Sequence, residues 1–384
     1  MLKTKVGHSI NTNSFESGVE TATNSKAKNT KLGMLYTSVE LDQKEIIKGV
    51  KSVLPDTQII GCTSCGAIIV PEGYIDNAEG FSGMMTFSDE KLTVGVGGSE
   101  RGENPRETGR KIAKEALKKA GLKKVPNYFY MVASPGEEEL YLKGIEDVIG
   151  RVPFFGGSAA DNTVEGKWSI FANDKIFSDG CAVAFFYDNG KFVNEYTGEY
   201  EETTKSGIIT KIEGRKLIEI NNKPALDVYS EWTGKPIDSL IGGNLLVETI
   251  CAPLGVKDPL GDLIVIRHPM NGNEDKSMDI GNNLATNTAI TLMDGNPNEL
   301  VRETKDVLER VNGNLPNPAG YFLVHCGGRK IAIVDRMEEV YNNIKSEAGD
   351  TPFLTIFTFG EYGSHEHSKN SCGGLMLSFT GFSK

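Results

Sequence analysis

Short, continuously apolar runs alternate with amphipathic stretches along most of the chain, and the alternation repeats. LGMLYTS at 32–38, YFYMVAS at 128–134 and YFLVHC at 321–326 each read as a buried strand. Each is followed by a run with helical spacing. In 42–53, Ile46, Ile47, Val50 and Val53 share one face, and 137–149 and 335–347 follow the same pattern. A second strand then enters a glycine turn, in IIGCTSCG (59–66), FFGGSAADN (154–162) and FTFGEYG (357–363). Apolar strands close each round: GFSGMMTF (80–87), DGCAVAFFY (179–187) and GGLMLSFTGF (373–382).

The helices upstream repeat as well. TVGVGGSERGENPRETG (93–109) and ITLMDGNPNELVRETKDVLERV (290–311) both place Asn-Pro-x-Glu after a short apolar strand. Asn104-Pro105 and Asn296-Pro297 suit an N-cap followed by proline in the first helical position. Val6–Ser9 with Asn13-Ser14-Phe15-Glu16 is a looser version of the same opening. The fold class expected is α/β, built of layered mixed-sheet units with internal repeats, in two domains spanning 1–190 and 191–384. Between the second and third copies, about 190–288, the pattern changes. Strands there turn at Glu213-Gly214, a short helix carries Trp232, and the strand LGDLIVIRHPM (260–270) stops at Pro269. The polar residues 271–285 read as a loop.

Composition narrows the function. The chain has 384 residues, with 41 Lys and Arg against 52 Asp and Glu, a formal charge of -11. Such a surface does not track phosphates broadly, so neither nucleic acid nor an anionic membrane is an expected partner. No apolar run approaches the roughly 20 residues that span a bilayer, and the N-terminus lacks a secretory apolar core, so a cytoplasmic location is expected. The six cysteines do not make a disulfide framework. Cys62-x-x-Cys65 has no second ligand pair to complete a zinc site, and no metal is assigned. Nucleophile elbows, zinc-protease helices, phosphate loops and dinucleotide fingerprints are missing, so no enzyme activity is assigned. An enzyme of unknown reaction, with Asp161 or Glu361 as a general base, remains the remote alternative.

The glycine turns are the candidate binding positions, because α/β proteins hold ligands beyond the carboxyl ends of their strands. The turn at 61–66 brings Cys62 and Thr63; the turn at 156–162 brings Ser158, Asp161 and Asn162 toward a polar ligand; Glu361 suits an ammonium group. Arg267 and Arg329 are the carboxylate clamps, since a guanidinium offers a bidentate fork. His268 and His325 sit at or within strong strands, while His365 and His367 lie on a polar loop.

The motifs GCTSCGAI, FFGGSAADN, NNKPALDVYSEW, Arg267-His268-Pro269 and FTFGEYG, in that order, resemble the FIST sensory proteins with their FIST_N and FIST_C domains. The resemblance implies cytoplasmic sensing of a small polar molecule such as an amino acid. With no output region attached, signalling would pass through a partner, for which a histidine kinase, a chemoreceptor or a cyclic-dinucleotide enzyme is implied. One branch of the family resembles haem-binding nitric-oxide sensors. Haem is therefore the one cofactor raised, with His268 as axial ligand and Arg267 beside it for the propionates. The chain departs from the family pattern at Thr63-Ser64-Cys65, and in the region matching the family's last strand after the Gly-Glu turn it keeps Asn370, a ligand contact that the resemblance implies, without the accompanying His.

Overall fold

A computed structural model describes residues 1–242, 245–258, 263–365 and 369–384. The repeats become three units of one design. In the first unit the sheet order is Lys3–Ser9, Ser82–Ser88, Thr30–Thr37, Gln58–Thr63. The second unit runs Thr93–Glu100, Gly180–Tyr187, Tyr128–Ala133, Phe154–Ser158. The third runs Phe192–Thr197, Leu377–Ser383, Pro318–Cys326, Phe353–Thr358. In each, the last two strands of that order are parallel and the other neighbours antiparallel. The fold is thus mixed α/β, as the alternation requires.

Each sheet is completed by a hairpin from another unit. Ile170–Ala172 of the second unit adds to the first sheet, Glu361–Gly363 of the third to the second, and Ile68–Val70 of the first to the third. The units therefore close a ring. Their inner sheet faces meet in one apolar core containing Tyr36, Tyr130, Phe155 and Phe322. At its centre the Tyr36 hydroxyl donates to Tyr130 Oη at 2.6 Å, and Phe322 lies 5.4 Å from the Tyr36 ring. Two aromatic hydroxyls satisfy each other where water does not reach.

Helices cover the outer faces. The expected asparagine caps form in all three units. Asn13 accepts from Glu16 N, Asn104 from Arg106 N and Glu107 N, and Asn296 from Asn298 N and Glu299 N. Each satisfies backbone donors that a helix start leaves unpaired. The two helices of the first unit, Ser14–Ser25 and Gln43–Val53, cross at Gly18 and Gly49, and those of the second, Pro105–Ala120 and Glu138–Ile149, at Gly109 and Gly144. A Cβ at any of the four would lie 2.0–2.3 Å from a carbonyl oxygen of the facing helix.

The remaining stretch is an insertion in the third unit. It leaves the ring after Phe192–Thr197 and returns at the cap of Pro297–Asn314. The strand expected at 290–294 therefore belongs to the inserted sheet, where Ala289–Asp294 pairs with Glu201–Glu213 and Leu254–Lys257. The first strand of the third unit is Phe192–Thr197 instead. Residues 271–285 are likewise not a plain loop, because Pro269–Gly272 and Met278–Ile280 pair as an antiparallel hairpin. Of the run 260–270, residues 260–262 lie outside the described residues, and the strand runs Ile264–Arg267. Among the described residues no helix is long and apolar enough to cross a membrane.

Candidate functional site

The three glycine turns do converge, on the axis of the ring. Cys65 N donates to Phe357 O at 2.9 Å, Ala160 N to Thr63 O at 3.1 Å and Ser158 N to Gly360 O at 2.8 Å. The convergence is closed, because most of the side chains there are spent on structure. Cys62 and Thr63 are fully buried. Cys62 joins the central core, where burial pushes its thiol upward, and Thr63 Oγ1 accepts from Ser169 N. Cys65 packs into a different cluster, so the two cysteines do not face one another. Asp161 accepts from the backbone N–H groups of Thr163, Val164, Glu165 and Lys167 and so builds its own loop. Asn162 donates to Glu40 Oε1 at 3.1 Å on the surface. Asn370 ties Glu146, Val152 and Ser364 together at the opposite end of the strands.

Glu361 and Arg329 are buried near one another. The Glu361 carboxylate accepts from Thr358 Oγ1 and Met376 N, both at 2.9 Å. Desolvation pushes its pKa up to about 8, against the opposing pull of those donors and of Arg329. Arg329 pairs with Glu303, donates to Leu300 O at 3.3 Å, and lies 5.8 Å from the Tyr200 ring centroid. Two consequences for pH follow. A carboxyl that holds its proton more tightly folded than unfolded makes stability fall as pH rises toward 8. His268 and His325 act at the other end. Burial lowers them to about 4 and about 3, so stability falls as pH drops below their unfolded value of roughly 6.5. The Glu361→Gln variant should lose slope between pH 6.5 and 8 in urea-midpoint measurements while keeping the acid arm. An unchanged alkaline slope would sink the assignment to Glu361.

A second region gathers more groups than the axis does. Three successive carboxylates stand at the start of the helix Glu138–Ile149, Glu137 as its cap and Glu138 and Glu139 in its first turn. Glu137 takes Arg101 at 2.7 Å. Glu138 accepts from Ser158 Oγ at 3.1 Å and pairs with Arg215 of the insertion at 2.5 Å. Glu139 meets the same Arg215 at 3.2 Å and accepts from Asn283 N and Nδ2. Burial raises the Glu138 pKa, with Arg215 opposing the shift. This carboxylate–guanidinium latch spans the seam between the ring and the inserted sheet.

Behind the latch lie Arg267, His268, Tyr196 and Tyr362. Arg267 Nη1 donates to Cys372 O at 2.7 Å, tying the inserted sheet to the exchanged hairpin. The Tyr362 hydroxyl is 2.6 Å from Ser158 Oγ. Arg215 Nε, Arg267 Nε, His268 Nδ1, Asn282 Oδ1 and Tyr196 Oη are all buried without a partner. Five such atoms in one seam are far from the usual full satisfaction of buried polar groups. Thus Ser158, Arg267 and His268, separated in sequence, meet here. Glu138, Glu139 and Arg215 complete the set and carry no motif.

Beside the latch opens a pocket of about 320 Å³ lined by Arg101, Ser134, Gly136, Glu137, Trp168 and Asp179. Ser134 Oγ donates to Asp179 at 2.8 Å, and the Trp168 indole N–H to Ser178 O at 2.8 Å.

Haem does not fit His268. Its imidazole lies between Gly281 and Gly374, so closely that a Cβ on either would come within 2.1–2.3 Å of the ring, and the residue is 4% exposed. Neither face is open to an iron-bearing macrocycle. His365 lines a separate cavity of about 930 Å³ with Arg151, Lys191 and Asn194, and His367 lies outside the described residues. Among the described residues no three His, Cys, Asp or Glu side chains cluster as a metal set.

The FIST N domain matches residues 31–223 and the FIST C domain residues 225–364. An uncharacterized protein of Methanocaldococcus jannaschii is 24% identical over 311 residues, covering 75% of this chain. The match spans 58% of that relative's own length. Among solved structures, a cyanuric acid hydrolase from A. caulinodans aligns over the whole of both chains at 8% identity and a TM-score of 0.37. Phosphoribosylformylglycinamidine synthase II from Thermotoga maritima aligns over all of this chain and 72% of its own at 11% identity and 0.24. Likeness at that level carries neither fold nor function across.

Proposed function

This chain belongs to the FIST family, and from that premise we propose that it is a cytoplasmic sensor of a small polar molecule rather than an enzyme. FIST domains are associated with signal-transduction sensing. The observation that carries the reading is the run Glu137–Glu138–Glu139. One backbone turn links an open pocket, the floor of the ring and the inserted sheet. A ligand that competes with Arg101 for Glu137 shifts that carboxylate, and its two neighbours hold Arg215, whose guanidinium crosses the latch. Occupancy then changes how firmly the insertion is held, and a partner such as a histidine kinase, a chemoreceptor or a cyclic-dinucleotide enzyme reads that change. Arg267, Ser158 and the unpartnered seam atoms supply the polar groups exposed when the latch loosens.

A thermal-shift screen of amines, amino acids and organic acids tests the reading. A ligand at 100 times its Kd should add about 2.7 kcal/mol of stability. Hydrogen exchange around Arg215 should change on binding in the native protein, and the Arg215→Met variant should bind without that change. Silence across the whole library, or binding with no response at the seam, would sink the sensor reading.

A further inference from the structure

We infer that the pocket under Trp168 takes a small primary ammonium ion, held between Glu137 and Asp179 with its alkyl part on the indole. This ligand class rests on the sensing reading above and narrows it. Three observations point to it.

The first is charge. The ionisable side chains lining the pocket are Arg101, Glu137 and Asp179, one positive and two negative. The guanidinium is already engaged, 2.7 Å from Glu137 and 3.9 Å from Asp179, so an entering anion meets a cation whose field is spent on two carboxylates. An entering ammonium meets an excess of negative charge and can donate to both.

The second is the aromatic wall. Trp168 is not a loose surface ring. Its N–H is fixed on Ser178 O, and its ring meets Phe359 edge-on with centroids 6.1 Å apart. The loop that presents it is built on the four backbone donors that Asp161 accepts. A fixed indole lining a pocket that is net negative is the usual partner of an organic cation. This gives the buried Asp161 a positioning role, although it touches no ligand.

The third is size. About 320 Å³ lies at the lower end of the range for ligand cavities, which suits a short alkylamine and excludes a nucleotide.

The chain contains two tryptophans, so Trp232→Phe leaves Trp168 as a sole fluorescent reporter. Propylammonium and propionate, matched in shape and opposite in charge, are titrated against that variant. Saturable change with propylammonium, and none with propionate, is expected. Glu137→Gln and Asp179→Asn in the same background should each weaken it by about tenfold or more, the scale of a charged hydrogen bond. Both side chains lie near the surface, and an unchanged Tm would show that the variants are folded. An equal response to both probes, a response to propionate alone, or unchanged affinity in both variants overturns the cation assignment. Should propylammonium fail while another compound in the thermal screen binds and moves the seam, only the ligand class falls. Failure of every compound removes the sensor reading with it.

Discussion

Replacing Arg329 with methionine should destabilise the protein by about 3–5 kcal/mol, read as a fall in the urea midpoint. Arg329 is fully buried and Glu303, its partner, is 2% exposed. Removing the guanidinium leaves a carboxylate stranded in a low-dielectric interior, and that desolvation outweighs any gain from the apolar replacement. The location adds to the cost. Glu303 also accepts from Glu199 N at 3.0 Å, where the chain leaves the ring for the insertion, and Tyr200 packs on Gly295 where it returns. The pair therefore braces both strands of the neck. The double variant Arg329→Met, Glu303→Leu should recover more than half of the loss, because well-packed apolar side chains often replace a buried ion pair at little cost. A single variant within 1 kcal/mol of the parent would show that Glu303 finds another cation or takes up a proton, and the bracing role would be wrong.

This result bears on what the sequence discloses. Arg329 reads as a ligand clamp because a guanidinium after a strand suits carboxylates, yet nothing in a single sequence shows that the helix Pro297–Asn314 brings Glu303 beneath it. Asp161 is similar. Its spacing to the next four donors is local turn chemistry, and such side chains favour their own backbone. The elements that rest on local signals are legible: asparagine caps, buried parallel strands and the glycine turns. The hairpin exchange is not, because three-residue strands such as Ile68–Val70 and Glu361–Gly363 carry no partner information in their apolar pattern. The strand at 290–294 is misplaced for the same reason: a strand before an Asn-Pro cap fits the repeat equally well whichever sheet it joins. Within the seam, Ser158, Arg267 and His268 are legible as polar groups at strand ends. Glu138 and Glu139 are not, since acids in a first helical turn are ordinary complements of the helix dipole.

Another signal lies in the helices, and it carries the second large effect. Gly18 and Gly109 each stand five residues after the capping asparagine, and Val301 holds that position in the third unit. A Cβ at Gly144 would lie 2.0 Å from Arg106 O, and one at Gly109 would lie 2.3 Å from Tyr141 O. These obstacles are backbone atoms, so no rotamer change relieves them; the two helices must separate. Gly144→Ala should therefore destabilise by about 1–3 kcal/mol or more, although alanine is the better helix former by about 1 kcal/mol. Separation would also move the start of Glu138–Ile149, which carries Glu138 and Glu139 to Arg215. Hydrogen exchange at the seam should then rise in Gly144→Ala beyond what the global stability loss explains. The matching change at Gly49 in the first unit should destabilise by a similar amount but leave the seam unaffected, because neither helix of that pair carries a residue of the latch. Equal exchange at the seam in both variants would break the link between helix spacing and the latch, while leaving the packing cost intact.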